Sequence, residues 1–435
     1  MKRLLLTIGL FMLFCGVLSA EQIVREFRFG GTKKNQTVIS LREAQAYTDK
    51  QGYGFEFSTE QDVRIDPKNK SLFSEKPFYF SVKVPEGNYK ITIIYHGLSD
   101  KPYRSTVRSE SRRLQIENQE VLPNKSLERT FIVHIKDPKI ASGETVRLKM
   151  PRERHKLDWD DKLTFEFQQT NCILAIRIEA ISNVPTVFLA GNSTVVNQED
   201  EPWASWGQMI PRFFDAGVAI ANHAESGLAL SSFLSSKRLE KILSVAKSGD
   251  YLLIEFGHND QKEKGENAGA YKGYSERLRY FVREFRAKGG IPVILTSTAR
   301  RSFDEQGHLV HTLGDFPDAA RKVAAELQVP LIDLNKKTSM FYEALGVEGS
   351  KRAFVHYPAH TYPNQENALA DNTHFNPYGA YEIAKMVLTG IKENQLAIAG
   401  HIIDFQGFDP QHPDDCQTWY WPPSLVHSIL KPDGN

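Results

Sequence analysis

The feature of this sequence that most constrains its fold is a change of hydrophobic periodicity near residue 183. From about 22 to 182, apolar and polar residues alternate with a period of two, as at 89–95 and 163–167, and polar turns separate the segments. Beyond residue 183, short apolar runs alternate with segments of helical period. The first pattern indicates an antiparallel β-sandwich, and the second indicates a parallel sheet with helices on both faces. We therefore predict an all-β domain followed by an α/β domain.

The α/β part of the chain contains clear candidate strands and helices. Its first strand is the apolar run from Pro185 to Gly191. Further strands are predicted at 216–221, 250–257, 291–296 and 329–334. Apolar residues recur at helical spacing over 274–285, and a last helix is predicted from Pro377 to about Lys392, because proline suits the first turn of a helix. The residues after 393 have no clear period, and we expect an irregular extension that packs on one of the two domains.

The composition excludes several classes of function. The 435 residues include 54 Lys and Arg against 53 Asp and Glu, which gives a formal net charge of +1. A nucleic-acid-binding protein needs a strong or clustered basic excess, so we expect no nucleic-acid partner. The hydrophobic share of 41% and the charged share of 25% are those of a globular protein. The length favours two to three domains, and the oligomeric state stays unknown.

The N-terminal residues have the pattern of a cleaved secretory signal. A basic start at 2–3 precedes an apolar run over 4–18, and small residues follow at 19–20. The run is shorter than the ~20 residues that a membrane-spanning helix needs. We therefore predict a signal peptide over 1–20, a secreted or periplasmic protein and no membrane partner beyond that signal. Lipidation at Cys15 is a weaker alternative, because the residues before it lack the small side chains that such processing favours.

The cysteines do not define the fold. After removal of the signal peptide only Cys172 and Cys416 would remain. They either form one bridge in an oxidising compartment or stay two buried thiols, and the sequence does not decide between these states. In both cases the stability of the protein must come from its hydrophobic cores.

Ser193 is the first candidate catalytic residue. It lies two positions beyond the glycine that ends the first predicted parallel strand. Ligands of open α/β sheets bind just outside the carboxyl ends of the strands, so this position favours a chemical role. A lone serine after Gly-Asn is otherwise a turn residue or a helix cap. The general hydrolase pattern Gly-x-Ser-x-Gly is only half met, because Val195 replaces the second glycine.

The groups that a serine nucleophile requires occur later in the chain. A serine hydroxyl needs a base to take its proton and a third group to orient that base. Asp371 and His374, in a predicted loop ahead of the last helix, supply a carboxylate and an imidazole. Gly227 and Asn259 each follow a predicted strand. They supply a closely approaching backbone and a side-chain amide for the negative charge that develops in acyl transfer.

Four ordered blocks of this sequence resemble those of the SGNH, or GDSL-like, hydrolases. The blocks are Gly-Asn-Ser-Thr at 191–194, Gly227, Gly-His-Asn-Asp at 257–260 and Asp-Asn-Thr-His-Phe-Asn-Pro-Tyr-Gly at 371–379. The combination is similar to the rhamnogalacturonan acetylesterase branch of that family, in its two-domain bacterial form. The resemblance covers about 186–391 and implies a flavodoxin-like three-layer α/β/α domain. It also implies a chemistry that needs no metal and no cofactor.

The resemblance further implies roles for individual residues and a substrate. Ser193 would be the nucleophile, His374 the base and Asp371 its orienting acid. The N–H groups of Ser193 and Gly227 and the side chain of Asn259 would form the oxyanion hole. The implied reaction removes acetyl groups from an acetylated polysaccharide or oligosaccharide, rhamnogalacturonan of pectin, through an acetyl-enzyme.

Pattern and resemblance together predict the domain boundaries. The segments are a signal peptide at 1–20, a galactose-binding-like β-sandwich accessory domain at 22–182, an SGNH hydrolase domain at 184–393 and an irregular extension at 394–435.

Alternative functions stay open at this point. The enzyme could act on another acylated glycan such as acetylated xylan, or the chain could be a glycan-binding protein with a degenerate hydrolase core. A metal-dependent phosphoesterase that uses His356 and His360 is the weakest alternative, because Pro358 between them argues against a helical metal-binding pair.

Several aromatic and basic residues also have two interpretations. The segments 109–113 and 155–159 either form a sugar-binding face or contribute cross-strand pairs and core aromatics. Trp203 and Trp206 either line a sugar subsite or pack in the protein interior.

Overall fold

The computed structural model describes residues 24–31, 35–154, 156–426, 428 and 430–432. The predicted signal peptide, including Cys15, lies outside these residues. None of the helices in the described part of the chain combines the length and the apolar character that crossing a membrane requires.

The first half of the described chain consists of strands in two sheets. The strands are β1 (Val24–Phe29), β2 (Val38–Leu41), β3 (Tyr53–Glu56), β4 (Arg64–Asp66), β5 (Ser71–Ser74), β6 (Phe78–Lys83), β7 (Gly87–His96), β8 (Tyr103–Ser109), β9 (Arg113–Val121), β10 (Ser126–Ile135), β11 (Lys162–Gln169) and β12 (Asn171–Ile181). One sheet has the order β10-β7-β12-β1-β2, and β5 and β4 extend it from β12. The other sheet has the order β3-β6-β11-β8-β9. The pair β1–β2 is parallel, and the other pairs named here are antiparallel.

The two sheets share one hydrophobic core. Phe27 of the first sheet and Phe80 and Phe165 of the second are fully buried in the same cluster of side chains. In β7, the odd-numbered residues from 89 to 95 enter this core, because alternate side chains of a strand point to the same face. Burying one large apolar side chain stabilises the fold by roughly 1.5–3 kcal/mol. The period-two pattern of the sequence thus corresponds to the face on which the two sheets meet.

The second half of the described chain is an α/β unit, as its sequence pattern predicts. Its elements are β13 (Thr186–Gly191), α1 (Trp206–Met209), β14 (Ala219–Asn222), α2 (Leu230–Ser235), α3 (Arg238–Val245), β15 (Tyr251–Phe256), α4 (Ser275–Ala287), β16 (Ile291–Thr296), α5 (Phe316–Leu327), β17 (Leu331–Ile332), α6 (Leu334–Gly349), β18 (Phe354–Tyr357), β19 (Leu369–Phe375) and α7 (Pro377–Glu393). Strands β13 to β17 form a parallel sheet in the order β14-β13-β15-β16-β17. Strands β18 and β19 form a separate antiparallel pair.

Helices cover both faces of the parallel sheet. Leu189 of β13 enters a core that contains side chains of α1, α6 and α7, whereas the preceding Phe188 enters a second core with side chains of α2 to α5. Because successive strand residues point to opposite faces, one apolar run supplies both cores. This explains why the strands of the parallel sheet appear in the sequence as continuous apolar segments.

The extension beyond residue 393 packs against both halves of the protein, not against one as the sequence analysis expects. Trp419 lies against Tyr381 of α7, with ring centroids 5.2 Å apart. The Ser424 hydroxyl lies 3.0 Å from the Tyr79 hydroxyl of β6. Because the aromatic side chains of the extension pack on two different surfaces, its sequence has neither a helical nor a strand-like period. Cys172 in β12 and Cys416 in the extension are both free thiols.

Candidate active site

The turn after β13 presents Ser193 at the carboxyl edge of the parallel sheet. A Cβ atom at Gly191 would lie 2.4 Å from Val195 Cγ2 and 3.1 Å from the Glu255 carbonyl oxygen, so only glycine allows this turn to pack against β15. The carbonyl oxygen of Asn192 accepts hydrogen bonds from the N–H groups of Val195 and Val196, each at 3.0 Å. Ser193 is therefore held in a tight turn at the end of a central strand.

A wide irregularity between β18 and β19 turns Asp371 and His374 to the same side. In the register of this pair, one residue of β18 is opposite the four residues 371–374 of β19. Asp371 Oδ1 accepts the N–H groups of Thr373 at 2.8 Å and of His374 at 3.0 Å, which closes a local turn. Side chains three apart in a regular strand point to opposite faces, and a bulge of this kind re-aims them. The segment predicted as a loop is thus a bulged strand.

The side chains of Ser193, His374 and Asp371 form a hydrogen-bonded series. His374 Nε2 lies 2.9 Å from Ser193 Oγ, and His374 Nδ1 lies 2.7 Å from Asp371 Oδ2. Burial raises the pKa of Asp371, but the hydrogen bond and charge of His374, with the N–H groups of residues 373 and 374, lower this pKa to about 2. Asp371 is therefore ionised at neutral pH and faces the Nδ1 side of the imidazole. Such a series can deprotonate a hydroxyl and stabilise the imidazolium that results.

The three predicted oxyanion donors occupy adjoining loops at the same sheet edge. Asn259 Nδ2 donates to the carbonyl oxygen of Leu228 at 3.1 Å, which connects the loop after β15 to the residue after Gly227. Gly227 has a φ of 77°, a conformation that favours glycine. Within the described ranges, the backbone N–H groups of Ser193 and Gly227 have no hydrogen-bond acceptor. Backbone N–H groups that are shielded from water almost always have an acceptor. Two such groups without one are therefore available to bind an oxyanion.

A buried carboxylate supports the residue that follows the serine. Glu255 of β15 accepts hydrogen bonds from Thr194 Oγ1 at 2.9 Å and from Trp206 Nε1 at 2.6 Å. Burial raises the pKa of Glu255 to about 7, although these hydrogen bonds lower it. Thr194 Oγ1 also lies 3.0 Å from Asn192 Oδ1, so a protonated Glu255 can donate to Thr194 while Thr194 donates to Asn192. In the sequence, the signal for Glu255 is a lone carboxylate inside an apolar strand, and Glu255 is not among the predicted site residues.

Buried charges connect the strand-rich half to the loop after Ser193. Arg112, in the turn between β8 and β9, forms an ion pair with Glu201 at 2.5 Å and donates to the Trp203 carbonyl oxygen at 2.8 Å. Trp159 is also buried, against the His223 ring at a centroid distance of 5.5 Å. Residues 109–113 and 156–159 are therefore largely buried in the protein and do not form an open sugar-binding face.

The C-terminal extension crosses the mouth of the site. Trp203 Nε1 donates to the Ser428 carbonyl oxygen at 3.1 Å, and Lys431 Nζ lies 3.4 Å from Asp371 Oδ2. A cavity of about 600 Å³ lies between this extension, the loop after Ser193 and the strand-rich half; Arg112, Trp203 and Lys431 are among its lining residues. The sequence of the extension does not predict this position, because it contains no periodicity or motif.

Of the two tryptophans, Trp206 packs in the protein interior, whereas Trp203 packs against His374 and also lines the cavity. Trp206 is fully buried, and Trp203 is 3% exposed with its ring edge-to-face on the His374 ring, at a centroid distance of 5.9 Å. His356 Nε2 lies 2.9 Å from Asn372 Oδ1. Among the residues that the structure describes, no group of three or more potential metal ligands occurs.

The parallel sheet and the hydrogen-bonded series at its carboxyl edge define an ester hydrolase of the α/β class. Residues 189–381 match the model of the GDSL-like lipase/acylhydrolase family. A rhamnogalacturonan acetylesterase of Bacillus subtilis (strain 168) is 45% identical to this chain over 223 residues, which are 51% of this chain and 95% of that protein. The chain belongs to the GDSL-like lipase/acylhydrolase family, as the four sequence blocks predict.

Two further proteins are similar to this chain over different lengths. A rhamnogalacturonan acetylesterase of Emericella nidulans (strain FGSC A4) is 27% identical over 250 residues, which are 52% of this chain and 94% of that protein. The crystal structure of YxiM from Bacillus subtilis aligns with 86% of this chain and 99% of its own, at 22% identity and a TM-score of 0.46.

Proposed function

We propose that this protein is a carbohydrate acetylesterase that removes acetyl groups from the rhamnogalacturonan of pectin. The observation that carries this proposal is the 45% identity to a Bacillus subtilis protein named rhamnogalacturonan acetylesterase, over 95% of the length of that protein. The Emericella nidulans relative has the same name. The hydrogen-bonded series of Ser193, His374 and Asp371 supplies the groups that ester cleavage needs.

In the proposed mechanism, Ser193 Oγ attacks the carbonyl carbon of the acetyl ester while His374 Nε2 takes the hydroxyl proton. The N–H groups of Ser193 and Gly227 and the Asn259 amide receive the negative charge of the tetrahedral intermediate. His374 then donates its proton to the sugar oxygen, so the C–O bond breaks and acetyl-Ser193 remains. A water molecule attacks this ester as His374 takes its proton; His374 then returns the proton to Ser193 Oγ as the acyl C–O bond breaks, and acetate leaves. Asp371 stabilises the imidazolium in both halves of the reaction.

The proposal extends to the place of action and to the strand-rich half. The signal-peptide pattern at 1–20 supports a secreted or periplasmic enzyme. We assign 22–182 to a galactose-binding-like β-sandwich accessory domain, 184–393 to the SGNH hydrolase domain and 394–435 to an extension that supports both. The buried contacts of Arg112 with the loop after Ser193 favour a supporting role for the accessory domain.

A substrate panel tests the proposed function. The purified full chain is incubated with acetylated rhamnogalacturonan, acetylated xylan and the chemically deacetylated forms of both polymers, and released acetate is measured. Release from the pectic polymer well above that from xylan is expected. Equal release from both polymers would indicate a general glycan acetylesterase. Release from xylan alone would contradict the proposed substrate and indicate an acetylxylan esterase.

A further inference from the structure

Three basic side chains from separate segments converge on the mouth of the candidate active site. Lys262 Nζ, beyond β15, lies 3.4 Å from Asn259 Oδ1. Arg300 Nη2, beyond β16, lies 3.4 Å from the carbonyl oxygen of the residue before Asn259. Lys431 Nζ, in the C-terminal extension, lies 3.4 Å from Asp371 Oδ2. Each cation therefore touches the catalytic series or the loop of the amide donor.

Lys262 lies close enough to Arg300 and Lys431 for their positive charges to act on it. The pKa of Lys262 is lowered by partial burial and by the positive charges of Arg300 and Lys431. Burial also lowers the pKa of Arg300. Like charges held together at a protein surface cost free energy, and long basic side chains can usually separate into solvent. Lys262 and Arg300 add positive charge beside the loop of Asn259, and the charge of Lys431 faces that of Asp371.

Arg300 is the best-defined member of the cluster. In the part of the chain that the structure describes, no carboxylate lies within ion-pair distance of its guanidinium. The oxygen atoms near it belong to neutral groups: the side-chain oxygen of Gln261, which accepts from Nη1 at 2.7 Å and from Nη2 at 2.8 Å, the carbonyl oxygen of His258 and, at 3.4 Å, the hydroxyl of Thr312. A guanidinium is planar and presents several donors in a fork that matches a carboxylate. No carboxylate neutralises Arg300, so its positive charge stays available to an anionic group of a ligand, which would share or replace the Gln261 oxygen.

We propose that Lys262, Arg300 and Lys431 form a carboxylate-binding subsite that takes the uronate group of an acidic sugar in the acetylated glycan. This inference rests on the proposed function and names the substrate feature that the same site selects. A uronate beside the acetylated hydroxyl would enter the positive field and offset the repulsion between the cations. A neutral glycan such as xylan has no group that does so, so the subsite discriminates between acidic and neutral acetylated glycans.

The test compares two forms of one substrate. Acetylated rhamnogalacturonan oligosaccharides are prepared with the uronate intact and with the uronate reduced to the primary alcohol, and kcat/KM is measured on both. We expect the wild type to favour the acidic form, and this preference to weaken as salt is added. Arg300→Gln should lower the ratio of acidic to reduced kcat/KM by about tenfold, because a hydrogen bond to a charged group is lost. Lys262→Gln and Lys431→Gln should lower the same ratio.

The matched control removes a lysine from the opposite edge of the sheet. Lys288 follows α4 and is exposed just before β16 begins, so Lys288→Gln should leave the ratio unchanged. Equal losses on both substrate forms in the three subsite variants, with turnover retained, would overturn the inference and leave the proposed function intact.

A second measurement separates the inference from the proposed function. If the wild type deacetylates neither oligosaccharide, the proposed function fails. The carboxylate subsite is then tested separately, by measuring whether an unacetylated oligogalacturonide inhibits the hydrolysis of p-nitrophenyl acetate. Inhibition that Arg300→Gln weakens about tenfold would support the carboxylate subsite. Inhibition that is absent, or equal to that by a neutral xylo-oligosaccharide, would overturn it.

Discussion

Arg112 of the strand-rich half and Glu201 of the loop after Ser193 form a buried ion pair. Nη2 and Oε1 are 2.5 Å apart, and each side chain is 3% exposed. Glu201 also accepts a hydrogen bond from Trp421 Nε1 of the extension at 2.8 Å. One carboxylate thus connects the strand-rich half, the loop beside the active site and the C-terminal extension. The activity of the site is therefore expected to depend on residues far from it in the sequence.

Arg112→Met should destabilise the protein by about 3–5 kcal/mol, because it leaves the Glu201 carboxylate buried without its counter-charge. Urea denaturation measures this loss in the free energy of unfolding. The control is Arg279→Met, whose ion pair with Glu326 is exposed at 41% and 49%, and which should cost no more than about 1 kcal/mol. Similar losses in the two variants would contradict the assigned role of the buried pair.

Glu255→Gln should remove a pH dependence of stability. With an ordinary pKa of 4.5 in the unfolded chain and a pKa of about 7 in the folded protein, Glu255 keeps its proton only when folded between these values. The free energy of unfolding of the wild type therefore falls as the pH rises through this window, by about 1.4 kcal/mol per pH unit. Relative to the glutamine variant, the wild type should lose about 2–3 kcal/mol between about pH 5 and pH 8. Parallel pH profiles of urea denaturation would show that Glu255 ionises normally.

Asp371→Asn should lower kcat by about 10³–10⁴-fold, because the amide neither stabilises the imidazolium nor selects the required tautomer. The folded-state pKa of Asp371 is lowered to about 2, so its contribution to stability is present above its ordinary pKa of 3.8 and is lost as the pH falls through 2. The difference in unfolding free energy between wild type and variant should shrink as the pH falls through this window. Asp318→Asn on α5, where the side chain is 48% exposed, serves as the control, and a kcat that falls no further than in this control would reject the role.

Asn259→Ala should lower kcat by about 10²–10³-fold, the typical cost of one lost oxyanion donor. Its hydrogen bond to the Leu228 carbonyl oxygen is lost as well, and should cost only about 1 kcal/mol of stability. Steady-state kinetics on p-nitrophenyl acetate and a thermal melt separate the two effects. A loss of activity of only twofold, with a large fall in Tm, would show that Asn259 is structural.

The sequence predicts those parts of the fold that depend on local periodicity. Strand β16 lies where its apolar run predicts, and α7 begins at the predicted proline and ends one residue beyond the predicted end. Strand β17 covers only Leu331–Ile332 of its predicted run, because strand length depends on how much of the neighbouring strand is available for pairing.

Long-range pairing explains what the sequence does not predict. The bulge at 371–374 arises from pairing with β18, and nothing in the local pattern fixes the register of that pair. The partnership of Arg112 with Glu201, and the approach of Lys431 to Asp371, join residues that are distant in the chain. The sequence could identify the residue types of the candidate site, but not the charges that surround it.

The measurement that tests the central claim most directly is acetate release from acetylated rhamnogalacturonan by the wild type and by Ser193→Ala. Circular dichroism and a thermal melt of both proteins verify that the variant is folded. The account predicts rapid release by the wild type and none above background by the folded variant, because only the Ser193 hydroxyl can form the acetyl-enzyme. Undiminished release by folded Ser193→Ala would contradict the serine mechanism and, with it, the assignment of this site.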